Sequence, residues 1–305
     1  MATPIPFVRD LDFAYGRVDQ ITPLIRRVIA RNPSAFTFKG TGTYIVGRGS
    51  VAVIDPGPDL DEHMSALEAA LAGETVSHIL VTHSHGDHCE AVPRFKQLSG
   101  AKSYAFLPPR ETSPDVETPE DVQVEEGVDE SFVPDVILKD GDVIEGKGWT
   151  IECLHTPGHM SNHLCFSLYQ ENALFTGDHV MGWSTTVINP PDGNMRDYMA
   201  SLSRLKTRDD ALYIPTHGAP VHNTQPFLRA YIAHREEREA QIIDCLAQNI
   251  TTIPQIVARL YVAVDKRLHP AAARSVLAHL LKLVEDGRVT RTRSQNTEEF
   301  RLATP

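Results

Sequence analysis

The chain has 305 residues, 41% of them hydrophobic, 23% charged and 7% aromatic, with a formal net charge of -11. This is globular composition, which excludes disordered, collagen-like and disulfide-mini-protein architectures. No apolar run reaches the roughly 18 residues of a membrane-spanning helix, and MATPIPFVRDLD lacks the features of a signal or transit peptide, so a cytoplasmic location is expected.

FTFKGTGTYIVG and SVAVIDPG read as paired strands broken by a turn at Gly47 to Ser50. A helix is predicted from about Asp61 to Ala72, with Leu60, Met64, Leu67, Ala70 and Leu71 on one face. HILVTH is a short buried strand running into HSHGDH; AVPRFKQLSG is then a helix closed by Gly100, and KSYAFL another strand. This alternation is a layered α/β pattern. Glu111 to Asp135 holds ten acidic residues, three prolines and no Lys or Arg, the composition of a solvated loop. Strands resume in VILKDGDVIEGKGWTIECLH, and NHLCFSLYQENALFTGDHV is a hairpin turning near Gln170 to Asn172.

After His217 the texture changes. A long helix from Pro226 to Gln248, the short helix PQIVARLY, the helix HPAAARSVLAHLLKLVEDG and two strands, RVTRTRS and EFRLA, form a winged-helix-like module. Charge follows the same division: residues 1–225 carry 17 Lys and Arg against 31 Asp and Glu, whereas 226–305 carry 12 against 9. The expected domains are therefore 1–225 and 226–305. An acidic first domain argues against a broad phosphate-binding surface there. Cys89, Cys153, Cys165 and Cys245 lack CxxC spacing and read as buried, inert thiols.

The chemistry concentrates in HSHGDH. In extended chain His83, His85 and Asp87 share one side, Ser84 and Gly86 are too small to obstruct them, and a sharp turn at Gly86 lets His88 point inward as well. Four ligand-type side chains in six residues are hard to bury without a metal ion. Three further candidates follow at strand or turn ends beside glycine: His159 in TPGH, Asp178 in FTGD and His217 in PTHG. Five histidines and two aspartates are the inventory of a binuclear hydrolase. His63, His78, His234 and His279 read instead as surface or satisfied core residues, and His163, His179, Thr185 and Thr186 as neighbours of the site with an equally good structural explanation.

The ordered set HSHGDH, TPGH, FTGD and PTHG resembles the pattern of the metallo-β-lactamase superfamily, over roughly residues 20 to 240. The resemblance implies an α/β fold, an αββα sandwich of two mixed sheets with helices outside and the metals at one edge. It also implies that His83, His85 and His159 hold a first zinc, Asp87, His88 and His217 a second, and that Asp178 bridges both. Within the superfamily, LKDGDVI, TPGHMSNH, FTGDHVMGWSTTV, DYMASL, THGAPVHN and YIAHREEREAQI are similar to the lactamase-β-like-2 group, which includes single-strand RNA endonucleases. Asp178 is not a Cys, as in antibiotic-hydrolysing relatives, and His85 is not a Glu, as in di-iron flavoprotein relatives.

The implied activity is a two-zinc hydrolase, with Mn or Fe as alternative metals because carboxylates are present. A metal-bridging hydroxide would be the nucleophile, oriented by Asp178 with Asp87 in the same catalytic set; its pKa would fall from about 15.7 to about 7. His222 is the candidate proton donor to the leaving oxygen and Asn223 a neutral substrate-binding donor, though both are also placed to cap the helix that follows. The expected substrate is an RNA phosphodiester in single-stranded RNA; the alternative is a small-molecule thioester, ester or lactone, hydrolysed as glyoxalase II does. A nucleic-acid-binding regulator is the third reading. Arg274, His279 and Lys282 are too few polar groups on the supposed recognition helix, which disfavours duplex DNA. Oligomeric state is left open.

Overall fold

Two mixed β-sheets stack face to face, each covering the apolar face of the other. The computed structural model describes residues 4–107, 127–294 and 297–303. The first sheet has the strand order β1 (Val18–Gln20), β2 (Ile25–Ile29), β3 (Gly42–Arg48), β4 (Ser50–Ile54), β5 (Thr75–Leu80), β6 (Lys102–Ala105) and β7 (Val136–Ile137). It is antiparallel from β1 to β4 and parallel from β4 to β7. The parallel half needs crossovers, supplied by α1 (Asp61–Ala70) and, after the single turn α2 (Gly86–Cys89), by α3 (Val92–Ser99).

In the second sheet, β8 (Val143–Gly146), β9 (Trp149–His155), β10 (Leu164–Leu168) and β11 (Ala173–Gly177) form an antiparallel meander. The helix α4 (Met195–Leu205) then crosses to β12 (Leu212–Pro215), which runs parallel to β11. Asn194 caps α4 by accepting hydrogen bonds from the backbone of Arg196 and Asp197.

The strand period of two sorts the side chains into layers. Tyr44 and Val46 of β3 point between the sheets, against Trp149, Ile151, Phe166 and Phe175. Ile45 points the other way, into a layer closed by Met64 and Leu67 of α1 and Phe95 of α3. The outer face of the second sheet is closed by Tyr198 and Leu202 of α4 and by Phe227 and Tyr231 of α5 (Thr224–Ala247). This is an αββα sandwich, as expected.

The C-terminal module comprises α6 (Ile253–Leu260), α7 (His269–Glu285) and the antiparallel pair β13 (Val289–Ser294) and β14 (Thr297–Leu302). Its own core contains Ile256, Val276, Leu280, Leu283 and Phe300, joined by Ile242 and Leu246 from the far end of α5. The helix α5 thus serves two cores, and the 225/226 division falls at its foot. On α7, Arg274 and His279 are buried, and Lys282 donates to Glu239 and Asp286 at 2.8 Å each. None of the three is exposed.

Several expectations need correction. The strand expected from Phe36 begins only at Gly42, because the Ser34 hydroxyl accepts from the backbone of Phe36 and Thr37 and winds residues 34–40 into turns. The alternation rule gives no sign of β2, whose IRRVI is interrupted by two arginines. Both are nevertheless buried: Arg26 pairs with Glu74, and Arg27 with Asp19 and the carbonyl of Gly218. His279 is buried, but neither ring nitrogen makes a hydrogen bond to a described residue. The acidic stretch from Glu111 falls mostly outside the described residues. All four cysteines are buried and free of disulfides, and burial pushes the thiols of Cys153 and Cys165 up to about 12. No described helix is long and apolar enough to cross a membrane.

Candidate metal centre

His83 and His85 follow β5 after Val81 and a bend at Thr82, and His85, in extended conformation, is the residue before α2. One helical turn then carries Asp87 and His88 back toward them. The sharp turn expected at Gly86 is the start of this helical turn, with Gly86 in right-handed conformation.

His159 reaches the cluster from the loop after β9. Gly158 ahead of it has φ +142, and a Cβ there would lie 2.3 Å from the Tyr198 Cα, so only glycine fits. Asp178 follows β11, where Gly177 has φ +50 and a Cβ would sit 2.5 Å from His163 Nε2. His217 comes from the end of β12. All seven residues are buried, and the structure brings them together. Donor atoms of His83, His85 and His159 lie within 4.8 Å of one another, as do those of His83, His88 and Asp178, and those of Asp87, His88 and His217.

Proton positions decide what this cluster can hold. His159 Nδ1 lies 2.7 Å from the Val187 carbonyl, and His217 Nδ1 lies 3.3 Å from that of Gly40. A carbonyl only accepts, so both Nδ1 atoms carry the proton and both Nε2 atoms turn lone pairs inward. His88 donates likewise from Nδ1 to Asp55 Oδ2 at 2.8 Å. Thr82 gives its hydroxyl proton to the same Asp55 oxygen, leaving its own oxygen to accept from His83 Nδ1 at 3.0 Å.

With the rings neutral, the inward atoms therefore face each other as acceptors; without a cation among them, the carboxylates draw a proton onto His88 and His217 in its place. His88 Nε2 is 3.4 Å from Asp87 Oδ2, and His217 Nε2 is 3.3 Å from Asp87 Oδ2 and 3.4 Å from Asp178 Oδ2. His83 Nε2 and His159 Nε2 both face His85 Nδ1, at 3.0 and 3.1 Å. One proton on His85 Nδ1 can satisfy only one of them. Asp178 Oδ1 and His88 Nε2 are buried without a hydrogen bond to any described residue. Converging buried lone pairs are costly unless a cation sits among them, so the donor set fits divalent metal ions, with imidazole and carboxylate ligands of the kind zinc takes.

Electrostatics agree. Burial and the neighbouring imidazoles hold His83 well below the usual imidazole range, and burial, helped by His159, brings His85 down to about 3. Burial opposes charge on His88 too, yet Asp87, Asp55 and Asp178 hold it up at about 9. Asp87 and Asp178 stay well below the carboxylate range despite burial, through His88 and His217. The carboxylate half of the site thus demands positive charge.

Asp55, which sequence reasoning passed over, organises this half. It accepts from His88 Nδ1, from the backbone and hydroxyl of Thr82, and from the hydroxyl of Thr216. Its only signal in the sequence is an acid directly after the apolar run VAVI, before Pro-Gly. Thr41, also passed over, donates to Asp87 Oδ2 at 2.8 Å. His163 Nε2 accepts from the backbone of Asp178 at 3.2 Å, and the Thr186 hydroxyl faces the carbonyls of Asp178 and His179 at 2.8 and 3.1 Å. These partners orient ligands without touching an ion.

Phe36, Met181 and Val187 form an apolar wall over His85, Asp87, His159, Asp178 and His217. Beside Asp87 opens a cavity of about 560 Å³ whose lining includes Glu90, Asp129 and Glu130. His222 and Asn223 are exposed just before α5 and line neither space. Asn223 stands at the N-cap position of α5 without a side-chain capping bond.

Comparison with known proteins extends this picture. The sequence pattern of the Metallo-beta-lactamase superfamily matches residues 37–217, and that of the Beta-lactamase associated winged helix domain matches residues 252–297. The chain is 30% identical over 296 residues to an atrochrysone carboxyl ACP thioesterase of Cryptosporiopsis sp. (strain 8999), covering 89% of this chain and 83% of that protein. It is 29% identical over 288 residues to a lactamase-like protein of Pestalotiopsis fici, again covering 89% of this chain and 83% of the relative. In three dimensions it matches a beta-lactamase domain protein from Burkholderia ambifaria with TM-score 0.78 at 18% identity, over 96% of each chain.

Proposed function

We propose that this chain, which belongs to the metallo-beta-lactamase superfamily of hydrolases, holds two divalent metal ions, zinc by ligand type, and hydrolyses acyl thioesters. His83, His85 and His159 would hold one ion, Asp87, His88 and His217 the other, with Asp178 shared between them. The observation that carries the metal reading is the set of inward lone pairs whose outward protons are fixed by Asp55, Thr82, Val187 and Gly40. Such ions supply Lewis acidity and a nucleophile of lowered pKa.

The surroundings favour a thioester over RNA. Glu90, Asp129 and Glu130 beside Asp87 repel a polyanion, whose binding depends on Lys and Arg. Phe36, Met181 and Val187 give an acyl chain an apolar face to lie on and keep bulk water from the ligands. A thiol leaves with a pKa of about 8.5, so the reaction needs little proton donation. That fits a relative whose name is that of an ACP thioesterase.

The test is release of free thiol from acyl-N-acetylcysteamine and acyl-coenzyme A substrates by zinc-loaded protein, with end-labelled single-stranded RNA in parallel and Asp87→Ala as control. Thiol release lost in the variant is expected. RNA cleavage without thiol release would replace the thioester reading with a nuclease.

A further inference from the structure

The helix that leads into the C-terminal module is tied to the metal ligands through a single loop, residues 181–187. Tyr231 of α5 donates to the Ser184 carbonyl at 2.6 Å and accepts from the Met181 backbone at 3.3 Å. One turn further on, Arg235 donates to the Thr186 carbonyl. The Thr186 hydroxyl in turn bonds to the carbonyls of Asp178 and His179, and the next carbonyl, that of Val187, takes the Nδ1 proton of His159. Tyr198, over whose ring the Arg235 guanidinium lies at 5.4 Å, donates to the same His179 carbonyl at 2.8 Å.

Arg235 is unusual in its own right. It is 4% exposed, forms no ion pair with a described residue, and its Nε makes no hydrogen bond to one. A buried cation without a counter-charge is costly. What it has in return is one carbonyl and one aromatic face, both within the frame that holds Asp178 and His159. Its neighbour Arg238, by contrast, stacks on Tyr261 of the C-terminal module at 4.3 Å and has no bond to the loop.

We infer that Arg235 is a positioning residue for the metal centre, acting through Thr186 and Val187 to fix the Asp178 backbone and the His159 ring. The helix α5 is then a working part of the metal site. Loss of the strut leaves every ligand in the chain but lets two of them wander, so ion retention falls before the fold does. This rests on the metal-holding part of the reading above and is independent of the substrate.

The experiment is zinc competition against a chromophoric chelator, with thermal unfolding of the metal-free protein measured alongside, for wild type, Arg235→Met, Arg235→Lys, Thr186→Val and Arg238→Met. Losing a group that orients a metal ligand weakens metal binding by about 10–100-fold. Arg235→Met and Thr186→Val are expected to show such a loss in at least one ion, Arg235→Lys to recover part of it, and Arg238→Met to bind as wild type does. Should Arg235→Met fail to fold, Thr186→Val decides, since it removes one hydroxyl and keeps the shape. Wild-type zinc retention in Arg235→Met, or in Thr186→Val where only that variant folds, overturns the strut alone. Wild-type protein that binds no zinc overturns the metal reading with it, and absent thioester turnover with the affinity pattern intact removes only the substrate.

Discussion

His88 donates from Nδ1 to Asp55 Oδ2 across 2.8 Å, and neither side chain has any solvent exposure. The bond fixes which nitrogen of His88 is free for a metal ion, so Asp55 selects the tautomer of a residue it never shares an ion with. Asp55 has φ +49, a conformation asparagine tolerates, so Asp55→Asn adds no backbone strain. It does remove the charge and misplace a donor. The expected result is a 10–100-fold weaker hold on zinc, read by chelator competition. Zinc affinity unchanged in the variant would show that His88 is oriented by something else.

Gly158 permits His159 to face the cluster. An alanine there would place Cβ against the backbone of Tyr198, and the glycine's φ is one that other residues resist. Gly158→Ala is expected to cost about 1–3 kcal/mol in urea unfolding from backbone strain and to lower bound zinc in the folded fraction. Full stability with full metal content would mean that the loop has room the structure does not show.

The buried histidine His63, bonded to Thr43 and Pro56, lies outside the ligand set and is brought down to about 4 by burial. Its folded pKa is below the unfolded value of about 6.5. The unfolded chain therefore takes up a proton first. Stability that is complete above pH 6.5 is lost as pH falls toward 4, by at most about 3 kcal/mol from this group. Unfolding of metal-free protein followed from pH 7.5 to 5 should show this slope, added to that of the other buried histidines such as His83 and His85, and His63→Asn should make it shallower. An identical slope in the variant would assign the pH dependence to other groups.

His222 is exposed beside α5. If it donates a proton to the leaving atom, His222→Ala should slow hydrolysis of an oxygen ester by about 100-fold, while a thioester, whose thiolate departs unaided because a thiol's pKa is about 8.5, should slow far less. Equal effects on both substrates would exclude that role.

The layered fold and the seven clustered residues were legible because both are local signals. Strand and helix periods show in short windows, and HSHGDH packs four ligand side chains into six residues. What escaped notice depends on contacts across the chain. Asp55 acquires meaning only when β4 lies beside β5 and brings it to Thr82 and His88. The strand β2 hides behind arginines whose partners, Glu74 and the Gly218 carbonyl, are distant in sequence. Phe36, Met181 and Val187 come from two loops and look like ordinary apolar residues until they meet over the ligands. Arg274 and His279 look available on a helical face, yet both are buried, His279 facing Arg235 and Arg238 of α5.

The most direct measurement is a zinc titration of metal-free protein in which bound metal and thiol release from an acyl thioester are read from the same samples. Binding should saturate at about two ions per chain, as in two-metal hydrolases, with turnover absent before addition and rising as the ions bind. Thiol release by the chelated protein at the rate of the reloaded one, or reloading that leaves the protein without turnover, would contradict a metal-dependent thioester hydrolase.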